Sequence, residues 1–233
     1  MQSNKVFQAG GFFSQNNKVF TITALTQQDK RPWRTSIFVN GQFWRGEDTE
    51  TVIEFGLSEG QQLYADELEQ LGYKFDKRRA MKRAVVLLSY RERSESEVSS
   101  RLQKAGFARL VVDGVIDELK QMNYLDDKAF SKTWIKNRGD RKLYGPRRIK
   151  QELKQKGISD EIISETLCDH ISPDKEYESA KKLAELKLSS YKGLESKVAC
   201  RRLSQFLLRR GYSPSIVYEV MRSSSKFLDT KNP

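Results

Sequence analysis

Histidine and cysteine are almost missing from this chain, which has one His and two Cys in 233 residues. Cys168 and Cys200 stand far outside any Cys-x-x-Cys spacing, so neither a disulfide framework nor a zinc module is expected, and both read as structural thiols. His170 falls near a predicted helix end, where an imidazole faces the last carbonyls rather than a metal. There is no glycine-rich phosphate loop ending in Gly-Lys-Ser/Thr, no zinc-ligand cluster and no histidine partnered with a nucleophile. The expectation is therefore a protein with no catalytic residues, no metal and no cofactor, acting by binding. Long apolar runs are missing too. None approaches the roughly 20 residues of a spanning helix, and Met1-Gln2-Ser3-Asn4-Lys5 leads into no apolar signal core, so a cytoplasmic protein without a membrane partner is expected.

What the chain does have is charge, unevenly placed. Charged residues make up 31%, against 37% apolar and 10% aromatic, and the formal net charge is +11. Residues 1–76 carry 7 Lys and Arg against 10 Asp and Glu, whereas 77–233 carry 35 against 21. This asymmetry divides the chain into two functional regions. The basic one is suited to phosphates or to an acidic protein surface.

Residues 1–76 read as a small β-containing module. Val19-Phe20-Thr21-Ile22-Thr23 and Thr35-Ser36-Ile37-Phe38-Val39 are dense in β-branched and aromatic residues, and Asn40-Gly41 before Gln42-Phe43-Trp44 predicts a type I′ hairpin turn. Residues 48–71 are expected to be short helices punctuated by Gly56 and Gly60.

From about Asp76 apolar residues recur at helical spacing, and the chain repeats itself. Leu-x-x-x-Gly occurs at Leu102–Gly106, Leu153–Gly157 and Leu207–Gly211, each preceded four positions earlier by Val98, Ile149 or Leu203. An apolar residue follows each glycine (Phe107, Ile158, Tyr212), then the pairs Val111-Val112, Ile162-Ile163 and Ile216-Val217, then Ile116, Leu167 and Met221. Each unit is thus a helix closed by a C′ glycine and followed by a second amphipathic helix, with Ser159 and Ser213 placed to cap the latter. Another helical stretch precedes each pair, at 77–89, 127–138 and about 174–189. The fold class is mainly α, a tandem array of three three-helix repeats over 77–126, 127–172 and 173–225, with a tail at 226–233. Ser94-x-x-Glu97 predicts a capping box, Pro146 an N1 position, and Asp126-Asp127 a cap for the helix of Phe130 and Trp134.

Tyr124-Leu125-Asp126-Asp127-x-x-Phe130, followed by Tyr144-Gly145-Pro146-Arg147-Arg148-Ile149-x-x-Glu152-Leu153-x-x-Lys156-Gly157-Ile158, resembles the RecX family. Arg91-x-Arg93-Ser94-x-x-Glu97-Val98 resembles its first repeat and Phe206-Leu207-x-Arg209-Arg210-Gly211-Tyr212 its third, so the likeness covers roughly 80–223. Asn123 stands where a glycine is usual before the tyrosine, and asparagine also tolerates a left-handed cap. The resemblance implies a regulator that binds the RecA filament and limits strand exchange, ATPase and SOS-linked coprotease activity, with no chemistry of its own. It does not extend over residues 1–76.

Aligning the repeats places Arg147-Arg148 over Arg201-Arg202 and Lys156 over Arg210, with Lys150 and Lys154 adding to the second unit. The first unit offers Ser96-Glu97 and Ala105 instead. Equivalent positions of a regular array are expected to line one face, so Arg147, Arg148, Lys150, Lys154, Lys156, Arg201, Arg202, Arg209 and Arg210 are the candidate contacts to RecA or to single-stranded DNA. Phe130 and Trp134, four apart, are expected in a core rather than as a base-stacking pair. The competing reading is a basic helical repeat protein that binds nucleic acid by itself. With no coiled-coil heptad, a monomer is expected.

Overall fold

A computed structural model describes residues 18–191 and 193–229; Met1–Lys5 of the opening and residues 230–233 of the expected tail lie outside them. The chain divides into two compact units after Met81. In the first, β1 (Val19–Gln28), β2 (Arg31–Val39), β3 (Gln42–Asp48) and β4 (Gln62–Tyr64) form an antiparallel sheet in the order β3-β2-β1-β4. Asn40 and Gly41 carry φ of 50° and 77°, the two positive values that a type I′ turn needs, and Val39 pairs with Gln42 across it. Between β3 and β4 runs α1 (Thr49–Glu54). The stretch expected to be helical through residue 71 therefore contains a strand, paired with β1 at Val19–Tyr64 and Phe20–Leu63. Three residues are too few to show an alternating pattern, so only the partner strand reveals it.

Ile22, Ile37, Val52, Leu71 and Phe75 make the core of this unit. Glu47 is buried beside it, and Arg45 donates to Glu47 at 2.7 Å, to Asp76 at 2.6 Å and to the Gly72 carbonyl at 3.0 Å. A buried carboxylate is tolerable because its charge is paired and hydrogen-bonded. The helix expected from residue 77 begins earlier: α2 (Ala65–Tyr90) is one element of 26 residues that runs through the unit boundary.

The second unit is all helical: α2's C-terminal part with α3 (Glu95–Lys104) and α4 (Arg109–Gln121); α5 (Asp127–Lys136) with α6 (Pro146–Gln155) and α7 (Asp160–His170); α8 (Pro173–Leu188) with α9 (Ser196–Arg210) and α10 (Pro214–Asp229). No described helix is long and apolar enough to cross a membrane. The repeat positions are the core. Val98, Leu102, Ile149, Leu153, Leu203 and Leu207 are all fully buried, as are Ile163 and, to within a few per cent, Tyr212 and Val217. Each such side chain contributes about 1.5–3 kcal/mol by leaving water. Gly106, Gly157 and Gly211 take φ of 92°, 77° and 94°, and Asn123 takes 58°, the left-handed caps that the pattern requires.

Local departures have local causes. Asp126 caps α5 by accepting from Lys128 and Ala129 N–H, but Asp127 reaches out and accepts from Glu95 N–H at 2.9 Å, capping α3 instead. Ser159 accepts from Ile162 N–H, whereas the N–H of Ser213 is held by the Glu176 carboxylate. The chain after α5 widens into a π turn at Asn137–Arg141. Both cysteines are free, with Cys168 on the surface rather than in a core, and His170 Nδ1 donates to the Thr166 carbonyl at 2.9 Å. The last helix runs to Asp229, past the expected start of the tail at Lys226.

Candidate functional site

The middle helices of the three repeats meet end to end. At one joint the last turn of α6 abuts the first turn of α3, where Ser94 Oγ donates to the Lys156 carbonyl at 2.6 Å and also accepts from Glu97 N–H. At the other, the last turn of α9 abuts the first turn of α6: Gly145 N–H donates to the Arg210 carbonyl at 2.9 Å and Arg147 N–H to the Gly211 carbonyl at 3.1 Å. Orphan carbonyls of one helix are thus satisfied by the start of the next, through a hydroxyl at the first joint and N–H groups at the second, with the partial charges of their ends opposed. The close approach depends on glycine. A Cβ on Gly157 would stand 2.3 Å from Ser96 Cβ, and one on Gly145 would stand 2.3 Å from the Gly211 carbonyl carbon.

The two joints differ in charge. At the α3/α6 joint Glu97 lies between Arg91, at 2.9 Å, and Lys156, at 2.7 Å. The capping box is therefore half formed, because the Glu97 carboxylate is taken by these cations rather than by the backbone of its own cap. Burial by itself would raise this carboxyl, but the hydrogen bonds and charges of Arg91 and Lys156 outweigh it and hold the group down at about 2. Since the folded value lies below the ordinary 4.5, the stabilisation is complete above that pH and drains away as pH falls toward 2. Allowing for solvent screening it is on the order of 1–2 kcal/mol. Urea midpoints followed by circular dichroism should fall more steeply between these limits for the wild type than for Glu97→Gln; parallel curves would refute the assignment.

At the α6/α9 joint the matching positions are Arg148 and Arg210, and their guanidinium carbons gather on the Tyr144 ring, 4.0 and 5.2 Å from its centre. Arg148 reaches Glu152 at 3.5 Å, but that carboxylate already accepts from Arg138 at 2.7 Å and from Trp134 Nε1 at 3.0 Å. Arg210 donates to the Lys142 carbonyl at 3.2 Å and packs over Phe206, with no carboxylate partner among the described residues. The connection that delivers Tyr144 is strained: Leu143 holds a φ of 50°, which a branched aliphatic residue seldom adopts. It is kept there by Leu143 packing on the third repeat's core and by Tyr212, whose hydroxyl donates to the Leu143 carbonyl at 3.1 Å. Burial raises the Tyr212 phenol far above its ordinary value, so it stays a donor. Beside this joint opens a cleft of about 520 Å³, lined among others by Gly139, Tyr144, Pro146, His170, Glu176 and Tyr212.

The nine candidate residues do not form one stripe. Arg147, Lys150 and Lys154 recur at i, i+3 and i+7 on one exposed flank of α6, but Asp160 sits 2.8 Å from Lys154 and 3.8 Å from Lys150. Arg202 and Arg209 share a flank of α9, and Arg201 lies off it. Lys156 and Arg210 are only partly exposed, because equivalent last-turn positions of helices that meet end to end fall at joints. Among the described residues Arg147, Arg201, Arg202 and Arg209 are exposed and make no ion pair. Trp134 stacks on Phe130 at 5.7 Å, with Arg138 and Lys156 over its ring, so the pair belongs to the packing of the second repeat. Tyr144 is not among the candidate contacts read from the sequence; its signal there is an aromatic four residues before Arg148, one helical turn away. No group of three or more His, Cys, Asp or Glu gathers to hold a metal among the described residues.

Comparison with known proteins places these helices in a family. The models for the first, second and third three-helix domains of RecX match residues 80–119, 126–167 and 174–221, together more than half of the chain. The chain is 31% identical over 203 residues to a protein named regulatory protein RecX from Bacillus licheniformis, covering 87% of this chain and 77% of that one. A namesake from Listeria welshimeri is 28% identical over 208 residues, with 89% and 77% covered. A crystal structure of regulatory protein RecX superposes with a TM-score of 0.67 at 26% identity, over 88% of this chain and 99% of the other.

Proposed function

The chain belongs to the RecX family of regulatory proteins, and on that premise we propose that it binds the RecA nucleoprotein filament and restrains RecA's recombinase, ATPase and coprotease activities in DNA repair and the SOS response. In this reading it works in the cytoplasm as a monomer and without a cofactor. The observation that carries the reading beyond family membership is the set of exposed arginines without acidic partners, Arg147, Arg201, Arg202 and Arg209, on the middle helices of the second and third repeats. Planar guanidinium groups that no internal carboxylate neutralises suit bidentate contact with carboxylates of a protein filament or with its DNA phosphates. The first repeat, with Ser96 and Glu97 at the matching places, contributes less charge to such a contact.

The test is DNA-dependent ATP hydrolysis by the cognate RecA on single-stranded DNA. Turnover should fall when this protein is added well below one copy per RecA protomer. The Arg147→Glu, Arg201→Glu, Arg202→Glu, Arg209→Glu variant should need about tenfold more protein for the same effect, since rim charges govern association. Inhibition that appears only once the DNA is saturated would replace the reading with that of a basic repeat protein competing for nucleic acid.

A further inference from the structure

We propose that the joint between the second and third repeats is a binding notch for one phosphate group of a nucleic-acid strand, held by Arg148 and Arg210 with Lys142 beside them. The two joints bring equivalent helix ends together and differ in charge. In the first, a carboxylate of the chain itself, Glu97, bridges the cations Arg91 and Lys156 at 2.9 and 2.7 Å. Moving one repeat along the register turns Arg91 into Lys142, Glu97 into Arg148 and Lys156 into Arg210. The cations are retained and the anion between them is replaced by a further cation.

Both places lie where the last turn of one middle helix abuts the first turn of the next, tied by the Ser94 hydroxyl in the first joint and by backbone N–H groups in the second, and in the second no carboxylate bridges the cations. Glu152 does not bridge the pair: its Oε2 takes Arg138 and Trp134, its Oε1 meets Arg148 alone at 3.5 Å, and it makes no ion pair with Arg210. Arg148 and Arg210 instead both rest on the half-buried Tyr144 ring, 4.0 and 5.2 Å from its centre, two like charges around one side chain whose mutual repulsion a shared phosphate would offset. The joint is also reachable. The Arg148 side chain keeps 40% of its surface, and Lys142 is exposed.

The inference goes beyond filament regulation and does not depend on it, because it is tested with a labelled single-stranded oligonucleotide and no RecA present. Arg148→Glu rebuilds the first joint's ion pair in the second. Its oligonucleotide affinity at low salt should fall about tenfold, and the log-log salt slope should shrink by about 0.7, the value of one lost phosphate contact on a single strand. Arg148→Gln removes the cation without opposing Glu152, and should show the same loss with an unchanged melting temperature. The converse exchange, Glu97→Arg, opens a second notch and should steepen the slope. Unaltered affinity and slope in both Arg148 variants would overturn the proposal, as would equal weakening by inorganic phosphate and chloride at matched ionic strength in wild type and Arg148→Gln. If the oligonucleotide results hold while RecA inhibition is absent, the notch stands and the filament reading falls; the reverse pattern separates them equally well.

Discussion

Gly211→Ala should destabilise the third repeat by about 3 kcal/mol or more, whereas Gly106→Ala, at the same repeat position, should cost only about 1 kcal/mol. Both glycines hold a left-handed φ, 94° and 92°, so the conformational penalty for a Cβ is matched between them. Their surroundings are not. Around Gly106 nothing lies within 4 Å of the added methyl, while at Gly211 it would fall 2.4 Å from Arg148 Cβ and 2.5 Å from Arg148 N. Neither partner can retreat, since the first turn of α6 is tied to the last turn of α9 through the Gly145–Arg210 and Arg147–Gly211 hydrogen bonds. Relief requires the joint to open, exposing Tyr212 and breaking its bond to the Leu143 carbonyl. Urea denaturation of the two variants side by side measures the difference; equal losses would mean that the helices do not abut as described.

Leu203→Ala should cost about 2–5 kcal/mol, the range for deleting a fully buried leucine, and the loss should stay local. Leu203 has no exposed surface and lies in the cluster of Ala180, Leu183, Leu207, Tyr212, Ile216, Val217 and Val220, all from α8, α9, α10 and the turn between the last two. The second repeat has its own cluster, Phe130, Ile135, Ile149, Leu153, Ile158 and Ile163. Repeats that each bury a separate core and touch only their neighbours lose stability unit by unit. Amide hydrogen exchange should therefore accelerate strongly in α8–α10 and much less in α3–α7. Leu208, the half-exposed residue on the other side of the same helix, provides the control, and its replacement by alanine should change stability by no more than about 0.5 kcal/mol. Uniform acceleration through all three repeats would show one cooperative core instead.

The periodic part of the fold is legible in the sequence. Spacing alone makes Leu102, Leu153 and Leu207 anchors, and all three are fully buried; the glycines four residues later read as caps, and all three have positive φ. Where reading went astray, the missing information was a partner far away in the chain. β4 is defined by β1, some forty residues earlier, and Asp127 faces Glu95 rather than its own helix. The start of α2 was placed too late because the boundary was drawn from a change in composition, and nothing between Ala65 and Asp76 breaks a helix except Gly72, which a helix accommodates.

By itself, then, the sequence determined the number of repeats, the period of their cores, the caps that end their helices and the sign of charge in each half, because these follow from side-chain spacing, allowed φ and residue counts, all of which act within a few positions. The tertiary structure alone decided which cations are free. Lys154 and Lys150 are answered by Asp160, Lys156 by Glu97 from 59 residues away and Arg148 by Glu152, whereas Arg147, Arg201, Arg202 and Arg209 meet no carboxylate among the described residues. A charge's availability depends on what stands within a few ångströms of it in space, and only the end-to-end docking of three helices sets that distance.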